Sequence, residues 1–207
     1  MKSFRICMQN IRKWGSNSRI KMCLIMSFLF VYSYISGMWK IIPLVGEKMN
    51  PWIFPFLFCW RFMKIVFMAP IVFIFCDAPF IDSNQSYVML RTSRKKWCFG
   101  QVLYIYAGSV IYAFVLFFST IIINIGHIKW GTSWGKVLGS AGTSTVLSTL
   151  GINYTTVKVP TIVIRYYTPA QAMFFSFLLM VLSFIFIGLL IYTVNVITKT
   201  NVAGTII

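Results

Sequence analysis

The residues of this chain that could do chemistry are few and far apart. The acids are Glu47, Asp77 and Asp82, three in 207 residues, and His127 is the one histidine. Asp77 and Asp82 could pair as acid and base. Five residues apart across Pro79, they read instead as residues that bound a span and cap a helix. Five cysteines (Cys7, Cys23, Cys59, Cys76, Cys98) show neither a paired disulfide spacing nor a metal-ligand cluster, and read as small apolar packing residues. Gly131-Thr-Ser-Trp-Gly135-Lys136-Val137 places three residues between its glycines where a phosphate-binding loop needs four. Val137 stands where that loop needs a Ser or Thr to hold magnesium. The expectation is a protein that is no enzyme, holds no cofactor or metal, and does not hydrolyse ATP by itself.

Composition explains why so little chemistry is present. Hydrophobic residues make up 58% of the chain and charged residues only 11%, against roughly 45–50% and about 25% in soluble domains. The charge is lopsided, with 19 Lys+Arg, 3 Asp+Glu and a net +16. Nucleic-acid binding would need a water-exposed basic face, which so apolar a chain cannot build, so no nucleic-acid partner is expected. Basic loops joining apolar spans account for both numbers together. The expected fold is all-α: a polytopic helical membrane protein with about four transmembrane helices, an N-terminal amphipathic helix and a short cytoplasmic helix.

About 20 mostly apolar residues cross a bilayer core of about 30 Å. Three uncharged stretches meet that requirement: 22–39, 99–125 and 170–196. A fourth span is expected at 61–80, with Arg61 at the outer interface and Lys64 snorkelling one turn below. The other reading of Arg61 and Lys64 is a buried cationic pair facing an anionic substrate path. The preceding Trp52-Ile-Phe-Pro-Phe-Leu-Phe-Cys-Trp60 reads as an interfacial elbow broken at Pro55. Ser109 and Ala113 form a small-xxx-small pair that suits close helix approach or, equally, packing within the chain.

Orientation follows from where the cations sit. Lys2, Arg5, Arg12, Lys13, Arg19 and Lys21 crowd the N-terminal tail, and Arg91, Arg94, Lys95 and Lys96 crowd the loop after the second span. Only Lys40 and Lys48 occupy the first loop. Both termini are therefore expected in the cytoplasm of a multi-pass cell-membrane protein. Within residues 1–19, Phe4, Cys7, Met8, Ile11 and Trp14 follow three- and four-residue steps flanked by cations, the pattern of a helix lying on the membrane. A cleaved signal peptide is the competing reading, countered by the long charged region and the bulky residues around Ser36 and Gly37. The outer loop 127–169 is expected to hold a weakly apolar helix over 136–150 and an extended segment over 155–167, which is β-branched and interrupted by Pro160.

The inner loop carries the strongest pattern. Asp82 or Ser83 can cap a helix, Tyr87 to Leu90 are apolar, and Arg91 to Lys96 supply a basic end suited to a helix C-terminus. Gly100-Gln-Val-Leu-Tyr104 then opens the third span. This organisation resembles the permease subunits of bacterial ATP-binding-cassette exporters of the type-two class. The resemblance implies a coupling helix over 82–96 that docks on a separate cytoplasmic ATPase through Asp82, Tyr87, Leu90, Arg91, Arg94 and Lys95. It also implies pairing with a second permease subunit, identical or different. Such permeases usually have six spans where four are read here, which leaves open a six-span chain cut short or a four-span member. The reading from another class is a non-transporting membrane protein, an immunity, assembly or lipid-contacting factor whose cations simply hold anionic lipid.

Overall fold

A computed structural model of the chain describes residues 2–79, 92–143 and 157–198. Among them, regular structure is helical apart from one isolated parallel bridge between Met49 and Ile128. The helices are α1 (Lys2–Arg12), α2 (Ser18–Ser36), α3 (Ile42–Val45), α4 (Arg61–Phe75), α5 (Arg94–Asn124), α6 (Gly135–Ala141), α7 (Thr161–Tyr166) and α8 (Pro169–Thr198).

Three helical stretches are long and apolar enough to cross a membrane: Ser18–Val45, Arg94–His127 and Pro169–Thr198. The faces of α5 show why this length of apolar chain does not collapse into a soluble core. Its buried stripe is partly polar, with Gln101, Ser109, Ser119, Thr120 and Asn124, whereas Phe99, Phe114, Phe118 and Ile122 are exposed. Polar side chains turn inward and bulky hydrocarbon faces outward, as a lipid solvent requires. The protein is an all-α helical membrane protein.

The expected second span differs in length. Helix α4 starts at Arg61, as expected, but ends at Phe75. Fifteen residues rise about 22 Å, short of the bilayer core, and the expected limit at Phe80 lies outside the described residues.

The chain forms two compact units. The first comprises Met1–Ile25, Met68–Ala113 and Val181–Ile207, and the second Met26–Phe67 and Phe114–Met180. In the first unit the Phe75 ring is fully buried between two glycines. A Cβ added to Gly108 of α5 would lie 3.0 Å from this ring, and one added to Gly188 of α8 would lie 3.0 Å from it and 2.6 Å from Ile105 Cγ2. Absence of those carbons lets α4, α5 and α8 close around one aromatic wedge, the role small residues play between helices in lipid. Ser109 and Ala113 are buried beside this contact, and the Ser109 hydroxyl has no hydrogen-bond partner.

The turn after α4 is held from two sides. Asn195 of α8 donates to the carbonyls of Cys76 (3.0 Å) and Ala78 (2.7 Å), two oxygens of the turn that follows the helix. Arg19 of α2 forms an ion pair with Asp77. Asp77 is thus a boundary residue, as expected, with a definite partner.

In the second unit, 52–60 differs from an interfacial elbow. Phe54–Phe58 is a 3-10 helix whose Phe54, Pro55, Phe56 and Leu57 are buried. Pro55 opens the turn rather than breaking it, because a missing N–H is harmless in a first turn. The Tyr34 hydroxyl donates to the Phe56 carbonyl and accepts from the Lys158 backbone N–H, both at 3.4 Å.

The two loops of this unit are tied together. Met49 exchanges backbone hydrogen bonds with His127 and Lys129. Asn50 donates to the Ser133 carbonyl at 2.5 Å, and Trp52 to the Gly131 carbonyl at 2.8 Å. Gly135 stands at φ +74 directly over the Asn50 amide, where a side chain would be both strained and crowded. The Trp39 indole donates to Asn124 (3.0 Å) and stacks on the His127 ring, with centroids 4.8 Å apart. His127 thus packs against the Trp39 indole.

Two expectations for 127–169 fare differently. Helix α6 lies at the start of the stretch expected to be helical, and 144–156 fall outside the described residues. The segment expected to be extended is helical over Thr161–Tyr166, with Pro160 (φ -68, ψ 123) preceding it. Strand propensity in β-branched residues reflects packing on a neighbouring strand, and among the described residues no strand is present to supply it.

Candidate functional site

The site builds up from the register between α1 and α5. Ser3 Oγ donates to the Lys96 carbonyl at 2.9 Å, Asn10 Nδ2 to Gln101 Oε1 at 3.0 Å, and Trp14 Nε1 to the Tyr104 hydroxyl at 2.7 Å. The partners ascend together along both segments, so the two helices run side by side in the same direction. Gly100 makes the approach possible: a Cβ there would lie 3.0 Å from Ile6 Cβ and 3.1 Å from the Ser3 carbonyl oxygen. Asn10 and Gln101 are both buried, and each would be costly without the other.

Helix α1 therefore has two apolar faces rather than one. Ile6 and Cys7, with Asn10, are buried against the chain, and burial pushes the Cys7 thiol pKa up. Phe4 and Met8 are 58% and 38% exposed and point elsewhere. The stripe Phe4, Cys7, Met8, Ile11 and Trp14 expected on one surface is thus split. Residue Ile6, outside that stripe, faces inward because its position matches Gly100.

The parallel register also gathers charge. Arg94, Lys95 and Lys96 occupy the first turn of α5 and are exposed. Lys2 and Arg5 occupy the first turn of α1, likewise exposed, and the Ser3–Lys96 hydrogen bond brings the two first turns together. Neither first turn contains an acid. Helix N-termini carry partial positive charge, so cations there are repelled and carboxylates or phosphates are attracted.

This placement corrects the basic end of the expected docking helix over 82–96. Arg94, Lys95 and Lys96 do not close a separate helix; they open α5. The Ser93 carbonyl accepts the first helical hydrogen bond, from Trp97 N–H at 3.1 Å. Ser93 suits an N-cap position, and no Gly or Pro interrupts the sequence from there to Phe99, so the helix runs straight into the apolar span. Asp82, Tyr87, Leu90 and Arg91 lie outside the described residues.

Arg61 and Lys64 are both exposed on the first turns of α4. They sit on the outside of the chain rather than enclosed within it. No group of three or more His, Cys, Asp or Glu side chains able to hold a metal occurs among the described residues.

Residues that the sequence reading left without a role are Ser3, Asn10, Gly100, Gln101 and Tyr104. The available signal was polarity: Gln101 stands near the start of a 31-residue helix whose next charged or amide side chain is Asn124. Compared with protein-family models, curated proteins and solved structures, the chain matches none of them.

Proposed function

We propose that this chain is the permease subunit of an ATP-binding-cassette exporter, multi-pass in the cell membrane with both termini in the cytoplasm. The observation that carries this reading is the cluster of Lys2, Arg5, Arg94, Lys95 and Lys96 at two helix N-termini that start together with no acid in either first turn. Such a surface favours an acidic partner, and the proposed partner is a separate cytoplasmic ATPase subunit. Arg94 and Lys95 belong to the first turn of a continuous 31-residue helix. A load applied there by the ATPase acts directly on a membrane-spanning element, which is the mechanical requirement for coupling. On this reading a second permease subunit completes the pathway, α4 contributes to a fourth span, and Arg61 and Lys64 lie at the outer interface. No cargo is assigned.

Co-purification tests the docking. An ATPase that copurifies with the wild-type chain should be lost when Arg91, Arg94 and Lys95 are all changed to Glu. Unchanged recovery with the triple variant overturns the docking role. The second reading, a non-transporting lipid-contacting or assembly factor, draws on the same exposed cations. It predicts that no ATPase copurifies with the wild type either.

A further inference from the structure

His127 is the one histidine of the chain. Its ring lies nearly parallel to the Trp39 indole, the planes 16° apart and the centroids 4.8 Å apart. The indole is itself held, by its N–H on Asn124 Oδ1 at 3.0 Å and by the Tyr32 ring at 5.6 Å and 79°. The His127 backbone belongs to the tie between the loops. Its carbonyl accepts from Met49 N–H at 3.0 Å, and Lys129 N–H donates to the Met49 carbonyl at 2.9 Å. One residue therefore joins a fixed aromatic face to a backbone bridge. The stretch Arg94–His127 has 34 residues, which rise about 50 Å against a bilayer core of about 30 Å. With the cations at Arg94 to Lys96 beyond the core at one end, the half-buried His127 lies beyond it at the other, where protons reach it.

Between about pH 5 and 8 histidine is the side chain that gains or loses charge. The other titratable groups on the elements around it are Tyr32 and Lys40 on the side of Trp39, Glu47 and Lys48 on the side of Met49, and Lys129 on its own segment. Tyrosines, lysines and carboxylates ordinarily titrate outside that window, and Glu47 is already paired with Lys136. The three lysines repel an imidazolium, but they are exposed and screened by salt, whereas the indole face is in contact. We propose that protonation of His127 tightens this end of the chain. The imidazolium is attracted to the electron-rich face of Trp39, and the bridge from His127 to Met49 is held more firmly as pH falls toward about 5.5. The device acts through the charge of one ring, and it stands whether or not an ATPase binds Arg94 and Lys95.

The test follows hydrogen exchange of the Met49 and Lys129 amides in the full chain, in neutral phosphatidylcholine nanodiscs at about pH 7.5 and about pH 5.5. Each rate is corrected for the intrinsic rate of its sequence at that pH, which gives protection. Protection of both amides should rise about two- to five-fold at the lower pH, the effect of one cation on an indole face near a surface. His127→Gln should abolish the rise. His127→Arg, a planar cation throughout the range, should show the raised protection at both pH values. Trp39→Leu should abolish the rise with His127 intact, and Glu47→Gln should leave it. The two His127 variants decide the matter if Trp39→Leu does not fold. Equal protection of the wild type at the two pH values would overturn the proposal. So would lower protection at the lower pH, the mark of repulsion from the lysines. A rise that survives in His127→Gln, or one that is lost in Glu47→Gln, would overturn it as well.

Discussion

Trp14 donates its indole N–H to the hydroxyl of Tyr104 at 2.7 Å while the two rings meet edge to face at 86°. One bond thus fixes both the position of the tail and the angle at which it leaves α5. Tyr104→Phe keeps the ring and removes the acceptor, leaving a part-buried indole donor unpaired. It should lower stability by about 1 kcal/mol. Trp14→Phe should cost a similar amount, and the double variant should cost clearly less than the sum, as for groups that share one interaction. Chemical unfolding in detergent measures all three.

The glycine pair around Phe75 predicts an asymmetry. Gly188→Ala forces a carbon to within 2.6 Å of a stiff β-branched side chain and should destabilise by about 1–3 kcal/mol. Gly126→Ala, with no other atom within 4 Å, should be nearly neutral. Thermal unfolding of the two variants separates a packing requirement from a general intolerance of substitution.

Ser109 points the other way. Its buried hydroxyl makes no hydrogen bond, so Ser109→Ala removes a polar group that gains nothing from its surroundings. The variant should be neutral or more stable by up to about 1 kcal/mol. A loss of stability in the same unfolding measurement would refute that account of the site.

Asn195 should be far less tolerant. Asn195→Leu strips the hydrogen bonds from two carbonyls in the turn after α4 and should cost about 1–3 kcal/mol. Exchange of the amides around Cys76 should rise with it.

Acid and base should each loosen the tie between Glu47 and Lys136. Lys136 Nζ donates to Glu47 Oε1 at 2.6 Å, which holds the Glu47 carboxyl below its usual range and raises the Lys136 ammonium. A depressed carboxyl contributes above its unfolded value, about 4.3, and that contribution is lost as pH falls through the lower folded value. A raised ammonium contributes below about 10.4, and that is lost as pH rises through the higher folded one. Proteolysis of residues 46–50 should therefore be slowest between those limits. The Lys136→Gln variant should show no such acid limb. Both side chains are exposed, so the effect is small and should shrink with salt.

The fold was readable from sequence wherever lipid acts as the solvent. Uncharged length locates α2, α5 and α8 to within a few residues, because crossing a bilayer demands it. The ends of α5 show where that argument stops. Cations at Arg94 to Lys96 suggest a helix C-terminus from the dipole alone, yet they begin a helix, since Ser93 and a partner segment decide the boundary instead. Thr161–Tyr166 fails for a related reason, its β-branched residues having no strand to join. The α1–α5 pairing was hidden by distance in sequence, and only Gln101, the lone amide of the apolar run before Asn124, hinted at a polar partner.

The same pairing has a consequence for how the protein is made. Trp14 and Tyr104 are 90 residues apart, and at about 5–20 residues per second the acceptor follows the donor by roughly five to twenty seconds. Throughout that interval the Ile6 and Cys7 face of α1 has no seat on the chain. Helix α1 is therefore made well before its seat, and it can dock only after the span beginning at Arg94 has emerged from the ribosome.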